Sequence, residues 1–229
     1  MKHHVVVLSG AGISAESGLK TFRDMGGLWE SYAIEEVATP EAWQKNPGLV
    51  QAFYNERRRQ AAEAQPNAAH LALAQLEMWA KVSIITQNVD DLHERAGSSS
   101  VLHLHGELRK VRSVHNPNLI LDIGGQALEA NAMGPDGYPL RPHIVWFGEE
   151  VPLLSSAANI CQTADFLIVV GTSLQVYPAA GLVHEVSPHT PIFVIDPSAP
   201  KIASTNLHYF RESATSGIPK VIEFLQSNF

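Results

Sequence analysis

Two short segments hold most of the residues that could do chemistry: Thr86-Gln87-Asn88-Val89-Asp90 and His103-Leu104-His105-Gly106-Glu107. Amide, hydroxyl and carboxylate groups can hold a polar substrate, and an imidazole can take a proton near neutral pH. His105 is the candidate general base, because the Asn88/Asp90 cluster precedes it and glycine follows it. An arbitrary histidine is better read as core packing. That reading is applied to His70, His103 and His184.

These segments need elements to position them. Val82–Ile85 and Val101–Leu104 are short apolar runs of the kind that form buried strands. Similar runs recur at Val5–Leu8, Ile144–Phe147, Phe166–Val170 and Ile192–Ile195. Helical stretches fall between several of them, at Ala68–Ala80, Ala157–Thr163, Ala179–Val186 and Lys220–Gln226. Alternating strands and helices predict an α/β fold, a Rossmann-like doubly wound parallel sheet. Polar groups at the carboxyl ends of such strands lie where these sheets bind ligands. Two segments break the rhythm. Residues 26–65 hold the helical run Gly48–Ala64, and 113–141 are rich in Gly, Asn, Pro and Asp. The expected organisation is one catalytic unit over 1–229. Its large domain comprises 1–25, 66–112 and 142–229; its small domain combines the helical insertion 26–65 with the loop-rich insertion 113–141.

Gly10-Ala11-Gly12-Ile13-Ser14-Ala15 follows the first strand run and fits the G-x-G-x-x-G/A pattern. Glycines there let the backbone approach a pyrophosphate, and a following helix offers unpaired N–H groups. The acid that ends a second strand ~20 residues later in ordinary dinucleotide enzymes is missing. A dinucleotide is expected, but not a hydride-transfer enzyme.

Composition narrows the partners. A net charge of −7 on 229 residues disfavours phosphate-backbone binding, so no nucleic-acid partner is expected. No run approaches the ~20 apolar residues of a membrane span, and the amino-terminal apolar run is read as the first strand. The single cysteine, Cys161, cannot form an internal disulfide and suits a reducing cytoplasm. A cytoplasmic monomer without a membrane partner is the expectation.

Together the motifs Gly10–Ser14, Thr21-Phe22-Arg23, Thr86–Asp90, His105-Gly106, Val145-Trp146-Phe147-Gly148-Glu149 and Gly171-Thr172-Ser173 resemble those of the sirtuins. They run in family order over essentially the whole chain. Phe53–Arg57 and Pro66–His70 look closest to bacterial CobB-type members. The resemblance implies an NAD-dependent protein lysine deacylase with NAD as co-substrate. Gly10, Ala11, Gly12, Ile13 and Ser14 would carry the pyrophosphate, while Phe22 and Arg23 would cover the nicotinamide ribose. Gln87 would contact the ribose, and Asn88 and Asp90 would hold the nicotinamide end. Gly171, Thr172 and Ser173 form a second phosphate or ribose loop, with Asp196 and Ala214 completing the cofactor set. The family usually has asparagine at the position of Asp196; a carboxylate there accepts from ribose hydroxyls and repels a 2′-phosphate, favouring NAD over NADP. The acyl oxygen would attack the ribose carbon as nicotinamide leaves, giving an alkylimidate. His105 would then activate a ribose hydroxyl, and O-acyl-ADP-ribose and free lysine would follow.

The resemblance also implies substrate contacts. Tyr54 and Arg57 are three apart in a helical run and share a side. In the family this pair marks enzymes that accept succinyl and malonyl lysine as well as acetyl lysine, and Ala38 matches a small residue that gives the pocket room. A guanidinium pairs bidentately with a carboxylate, and a phenol adds a hydrogen bond. Val145, Trp146, Phe147 and Gly148 match the strand that receives an extended acyl-lysine peptide, with Phe147 walling the lysine tunnel and Val176 nearby. Most sirtuins hold zinc through four cysteines in the region matching 113–141. None is present here, so no metal is expected. Two other activities use the same cleft: NAD glycohydrolysis or mono-ADP-ribosyl transfer, and NAD sensing without catalysis.

Overall fold

A computed structural model of the chain describes residues 2–20, 28–29, 32–198, 201–202 and 206–227. Strand β1 (His4–Ser9) is buried along its whole length, as an apolar run flanked by two parallel neighbours should be. It pairs with β4 (Lys81–Thr86) on one side and β9 (Phe166–Val170) on the other. Strand β5 (Val101–His103) extends the sheet beyond β4; β10 (Ile192–Ile195) and β11 (Leu207–Phe210) extend it beyond β9. The six-stranded parallel order is β11-β10-β9-β1-β4-β5. Chain order reverses between β1 and β9, so the crevice opens past their carboxyl ends.

Successive side chains alternate between faces. Val5, Val7, Ile84, Ile168 and Phe193 pack one face together with helices α5 (Ala68–Leu76) and α8 (Ala214–Gln226). Val6, Leu8, Ile85, Leu167 and Val169 pack the other with α7 (Leu154–Gln162) and a 3-10 turn over Ala179–His184. Several helices depart from the expected bounds: α7 begins at Leu154 where Ala157 was expected, and the stretch expected as a helix over Ala179–Val186 is a 3-10 turn ending at His184. The turn after Leu76 closes α5 early, and α8 starts six residues before Lys220 because Gly217 and Pro219 conceal its first turns in the sequence. The half-exposed edge strand β11, Leu207-His208-Tyr209-Phe210, is not evident from an apolar run.

The helix after the glycine loop, α1 (Gly12–Ala15), is one turn long. The helical insertion contributes the short pair β2 (Leu28–Trp29) and β3 (Tyr32–Ala33), then α2 (Ile34–Val37), α3 (Pro40–Lys45) and α4 (Pro47–Glu63). Asn46 caps α4 by accepting from the Leu49 N–H, with Pro47 in the first turn. The turn α6 (Leu92–Arg95) follows the Asp90 motif.

The segment expected to be loop-rich carries a sheet. Strand β6 (Gly106–Ser113) pairs antiparallel with β7 (Ile120–Asp122) and β8 (Leu140–Ile144). A register irregularity between Gly106 and Val111 breaks the alternation of buried residues that would have marked β6 in the sequence. The run Ile144–Phe147 is correspondingly not a strand of the parallel sheet. Ile144 ends β8, and the next three N–H groups go to different partners: Val145 to the His105 carbonyl, Trp146 to Glu149, Phe147 to the Ala38 carbonyl. No ladder can form from such bonds. The apolar character of 144–147 reflects a bridge between modules.

Candidate functional site

The glycine loop and the loop after β9 pack backbone against backbone. A Cβ on Gly10 would lie 2.7 Å from Thr172 Cβ, and one on Gly12 would lie 2.7 Å from Gly171 Cα. Gly171 has φ +62°, a conformation that favours glycine. These glycines are therefore required by loop–loop contact. The N–H groups of Gly12, Ile13 and Ser14 donate to carbonyls of Gly171, Gly10 and Ala11, whereas that of exposed Ala11 has no such bond among the described residues. The expected row of unpaired donors on a helix end is thus mostly consumed within the loops. Asn67, the cap of α5, donates to the Ile13 carbonyl at 2.8 Å and ties the loop to the helix layer.

Past the end of β4, Asn88 and Asp90 are buried at 6% and 8% exposure. The Ser14 hydroxyl joins them: it accepts from Asn88 Nδ2 at 3.1 Å and donates to Asp90 Oδ2 at 3.1 Å. Burial pushes the Asp90 carboxyl above its ordinary range, opposed by bonds from the Leu92 N–H and Ser14. Gln87 donates to Thr172 Oγ1 at 3.2 Å, linking the two loops across the switch point.

His105 faces the same crevice. Its Nδ1 lies 3.1 Å from the Gln87 carbonyl, which can only accept, so Nδ1 carries the proton and Nε2 is the basic nitrogen. Burial lowers its pKa below 6.5 against the pull of that bond, which keeps the ring neutral at physiological pH. Gly106 has φ +82°, and a Cβ there would lie 2.0 Å from the His143 carbonyl oxygen. Only glycine fits directly behind the imidazole.

Tyr54 lies on α4, 3% exposed, and its hydroxyl accepts from Trp146 Nε1 at 3.1 Å, leaving its own O–H to donate. Burial raises the phenol pKa, so it stays protonated; the positive charge of Arg57 acts in the opposite sense, as expected from proximity. Ala38 is buried at the same cluster, beside Trp146. Trp146 is held by Arg141, whose guanidinium sits 3.3 Å from the indole centroid and pairs with Glu149 at 2.7 Å. Val145 is half-buried, Gly148 turns with φ +89°, and Phe147 and Val176 are exposed at 45% and 38%.

Asp196 follows β10 at 5% exposure and accepts from the Ser198 N–H at 2.7 Å. Ser173 is half-buried beside Thr172; Ala214, 4% exposed, begins α8 within the core. Phe22 and Arg23 lie outside the described residues. Among the described residues, no three His, Cys, Asp or Glu side chains converge as a metal would require. No helix among them is long and apolar enough to cross a membrane.

The Sir2 family profile matches residues 10–178. The chain is 58% identical over 198 residues to a protein of Aggregatibacter actinomycetemcomitans named NAD-dependent protein deacylase, covering 86% of this chain and 95% of that one. It is 54% identical over 225 residues to a protein of the same name from Helicobacter pylori strain J99, covering 96% of each. The fold superposes on a Sir2 homologue solved with NAD at TM-score 0.87 and 39% identity, covering 99% of this chain and 91% of that one. A Sir2 homologue solved with ADP-ribose gives TM-score 0.90 at 39% identity, covering 99% and 93%. The chain belongs to the Sir2 family.

Within this Sir2 crevice, some supporting residues are not evident from the motifs. His103, read as packing, donates from Nδ1 to the Asn88 carbonyl at 2.9 Å, while Nε2 meets Glu94 at 2.8 Å. The rings of His103 and His105 thus hold the carbonyls of adjacent residues, Asn88 and Gln87. Their i, i+2 spacing at the end of a strand run was the available signal, although β5 ends at His103 and His105 lies in the turn after it. Behind them, His93 Nε2 donates to Ser9, Ser9 donates to Thr86, and Thr86 Oγ1 accepts the Asn88 N–H. That chain starts on α6 and leaves no trace in spacing.

Proposed function

We propose that this Sir2-family protein is an NAD-dependent protein lysine deacylase that removes acetyl and, through Tyr54 and Arg57, succinyl and malonyl groups. The observation that carries this reading is the neutral imidazole of His105, its Nε2 basic, in one crevice with the Asn88–Ser14–Asp90 cluster. The deacylase names of the relatives support the same reaction.

The residues fit NAD. Asn88 and Asp90 are buried polar groups at the end of β4, and Asp196 offers a carboxylate to ribose hydroxyls at the end of β10. When bound, NAD supplies an electrophilic ribose carbon and a ribose hydroxyl that accepts the acyl group. Asn88 and Asp90 hold the carboxamide end, with Ser14 fixing both. Gln87 and Thr172 line the ribose side, and Ala11 offers a backbone donor to a phosphate oxygen. His105 takes the proton from the ribose hydroxyl. One water is consumed as the amide bond breaks, and the products are nicotinamide, free lysine and O-acyl-ADP-ribose.

The acyl-lysine protein binds as an extended peptide along Val145–Gly148, with Phe147 and Val176 beside the lysine stem. The N–H groups of Val145, Trp146 and Phe147 are bonded within the protein, so the segment's carbonyls carry the pairing, and backbone recognition of this kind accepts many sequences. Arg57 forms the ion pair with a succinyl carboxylate, and the Tyr54 O–H adds a hydrogen bond. The small module folds without zinc, held by Ser113 donating to Asp136 at 2.5 Å and by Asn55 bonded to both backbone groups of Leu128. Stoichiometric zinc in purified protein would refute that part.

The deciding assay incubates the protein with NAD and acetyl- or succinyl-lysine peptides and follows nicotinamide and O-acyl-ADP-ribose by mass spectrometry. Peptide-dependent release of both products is expected. Nicotinamide without peptide dependence would show a glycohydrolase, and no turnover a binding module. Arg57→Ala is expected to raise KM for succinyl-lysine at least tenfold more than for acetyl-lysine, the scale of a lost charged hydrogen bond of about 1.5–3 kcal/mol. Equal effects on both would refute the acyl assignment.

A further inference from the structure

A cavity of about 330 Å³ lies against the Val89–Asp91 segment, between α4, α6 and the small sheet. Arg58, Arg95 and Arg109 line it, one from each of those three elements. Arg58 is the unusual one. Only 2% exposed, it donates from Nε to the Leu108 carbonyl at 2.6 Å and from Nη1 to Asn55 Oδ1 at 2.7 Å, both uncharged acceptors. Its Nη2 is buried with no hydrogen-bond partner among the described residues. Burial pushes its pKa down to about 10, with no carboxylate offsetting the penalty.

The carboxylates that line the cavity, Asp90 and Asp91, are bonded to groups other than Arg58. Asp91 pairs with Arg109 at 3.3 Å and Arg95 at 3.6 Å. Asp90 turns its oxygens toward Ser14 and the Leu92 N–H. Arg109 also pairs with Asp122 at 2.9 Å, and Arg95 donates to the Ala61 and Ala64 carbonyls. A buried guanidinium without a counter-charge is costly, and burial of charge is tolerated when an anion or a full set of bonds compensates. Guanidinium groups match the planar or tetrahedral oxygens of carboxylate and phosphate.

We propose that this cavity is a binding site for a small oxyanion, a phosphate or a carboxylate, with Arg58 as its buried donor and Arg95 and Arg109 at its mouth. The bound anion clamps the helical insertion, the Asp90 segment and the small sheet together, so it raises the unfolding temperature. The site shares the Val89–Asp91 segment with the crevice but uses none of its reacting groups beyond Asp90, and it does not depend on which acyl group is removed.

The test is thermal unfolding of the full chain with saturating ADP-ribose, which blocks phosphate from the crevice. Inorganic phosphate and succinate are titrated at ionic strength held constant with sodium chloride. The expected result is a saturable rise in Tm with at least one of them, absent in Arg58→Met and at least fivefold weaker in midpoint in Arg109→Gln. Which anion saturates identifies a tetrahedral or a carboxylate ligand. Arg58→Met alone, without anion, is expected to unfold at or above the wild-type temperature, since replacing an uncompensated buried charge by a hydrophobe costs little. A rise no larger than chloride gives, or one unchanged in Arg58→Met, would overturn the site; a bridging water would then account for Nη2. Should Arg58→Met not fold, Arg109→Gln decides: a weakened midpoint supports the site and an unchanged one rejects it.

Discussion

The crevice at the sheet end and the pocket between the insertions are built by different rules. In the crevice, parallel pairing brings loops together automatically. β1 aligns Ser9 with Thr86 and with Val170, so whatever follows each strand converges. The Gly10, Asn88 and Gly171 loops meet for that reason alone. In the pocket, Tyr54 finds Trp146 across 92 residues, and Asn55 finds Leu128 across 73, with no shared ladder between them. Side chains do there what backbone pairing does in the crevice. The difference teaches that motif position suffices for the first region, whereas the second depends on individual polar and aromatic contacts.

The largest effect expected lies in the crevice. His105→Tyr should lower kcat/KM at least 10²-fold, the scale of a lost general base, while ADP-ribose binding by calorimetry stays within a few-fold. Because burial depresses the His105 pKa, the neutral base survives below pH 6.5. The wild-type kcat/KM should therefore hold through pH 6.5 and fall only as pH drops through the lowered value; a fall beginning above pH 7 would contradict the neutral ring.

Gly106→Ala tests the hinge between the two regions. The added Cβ meets the His143 carbonyl at 2.0 Å in a backbone conformation that suits glycine. A loss of about 3 kcal/mol or more is expected in denaturant unfolding. A smaller loss would mean that the β6–β8 contact yields easily and that the regions are less tightly joined.

Arg141→Ala probes the pocket alone. It removes the stacking on Trp146 and leaves Glu149, 20% exposed, without its close partner. About 2–3 kcal/mol of stability should be lost. KM for succinyl-lysine should rise with kcat little changed, since Trp146 supports Tyr54 and not the base. An equal fall in kcat for acetyl and succinyl peptides would erase the distinction between the regions.

The smallest effect is expected at Glu94→Gln. Burial alone would depress the His103 pKa, but the bond and charge of Glu94 and the bond to the Asn88 carbonyl outweigh it and raise the value. A raised pKa contributes stability that is full below pH 6.5 and fades as pH climbs through the folded-state value. Glu94→Gln should thus cost up to about 1 kcal/mol at pH 6 and less at pH 9, modest because Glu94 is 38% exposed. A loss that grew with pH would reverse the charge assigned to His103.

Much of this was legible beforehand, for reasons seen at particular residues. The apolar runs of β1, β4, β9 and β10 announce buried parallel strands, because fully flanked strands tolerate few polar groups. Loop glycines and the His105-Gly106 pair mark positions where a side chain would collide with backbone. The run 144–147 misled because apolar content reports burial and says nothing of bond partners. Strand β6 was hidden by its bulge, and β11 by its exposed edge.

Sequence by itself determined the fold class, the crevice and its candidate base, since hydrophobic periodicity and parallel connectivity are local properties with a global consequence. Tertiary structure decided what no spacing encodes. It set the tautomer of His105 through the Gln87 carbonyl, the bridge of Ser14 between Asn88 and Asp90, and the burial of Arg58 without a counter-charge among the described residues. Each depends on atoms brought to within about 3 Å from distant parts of the chain, the range over which hydrogen bonds act.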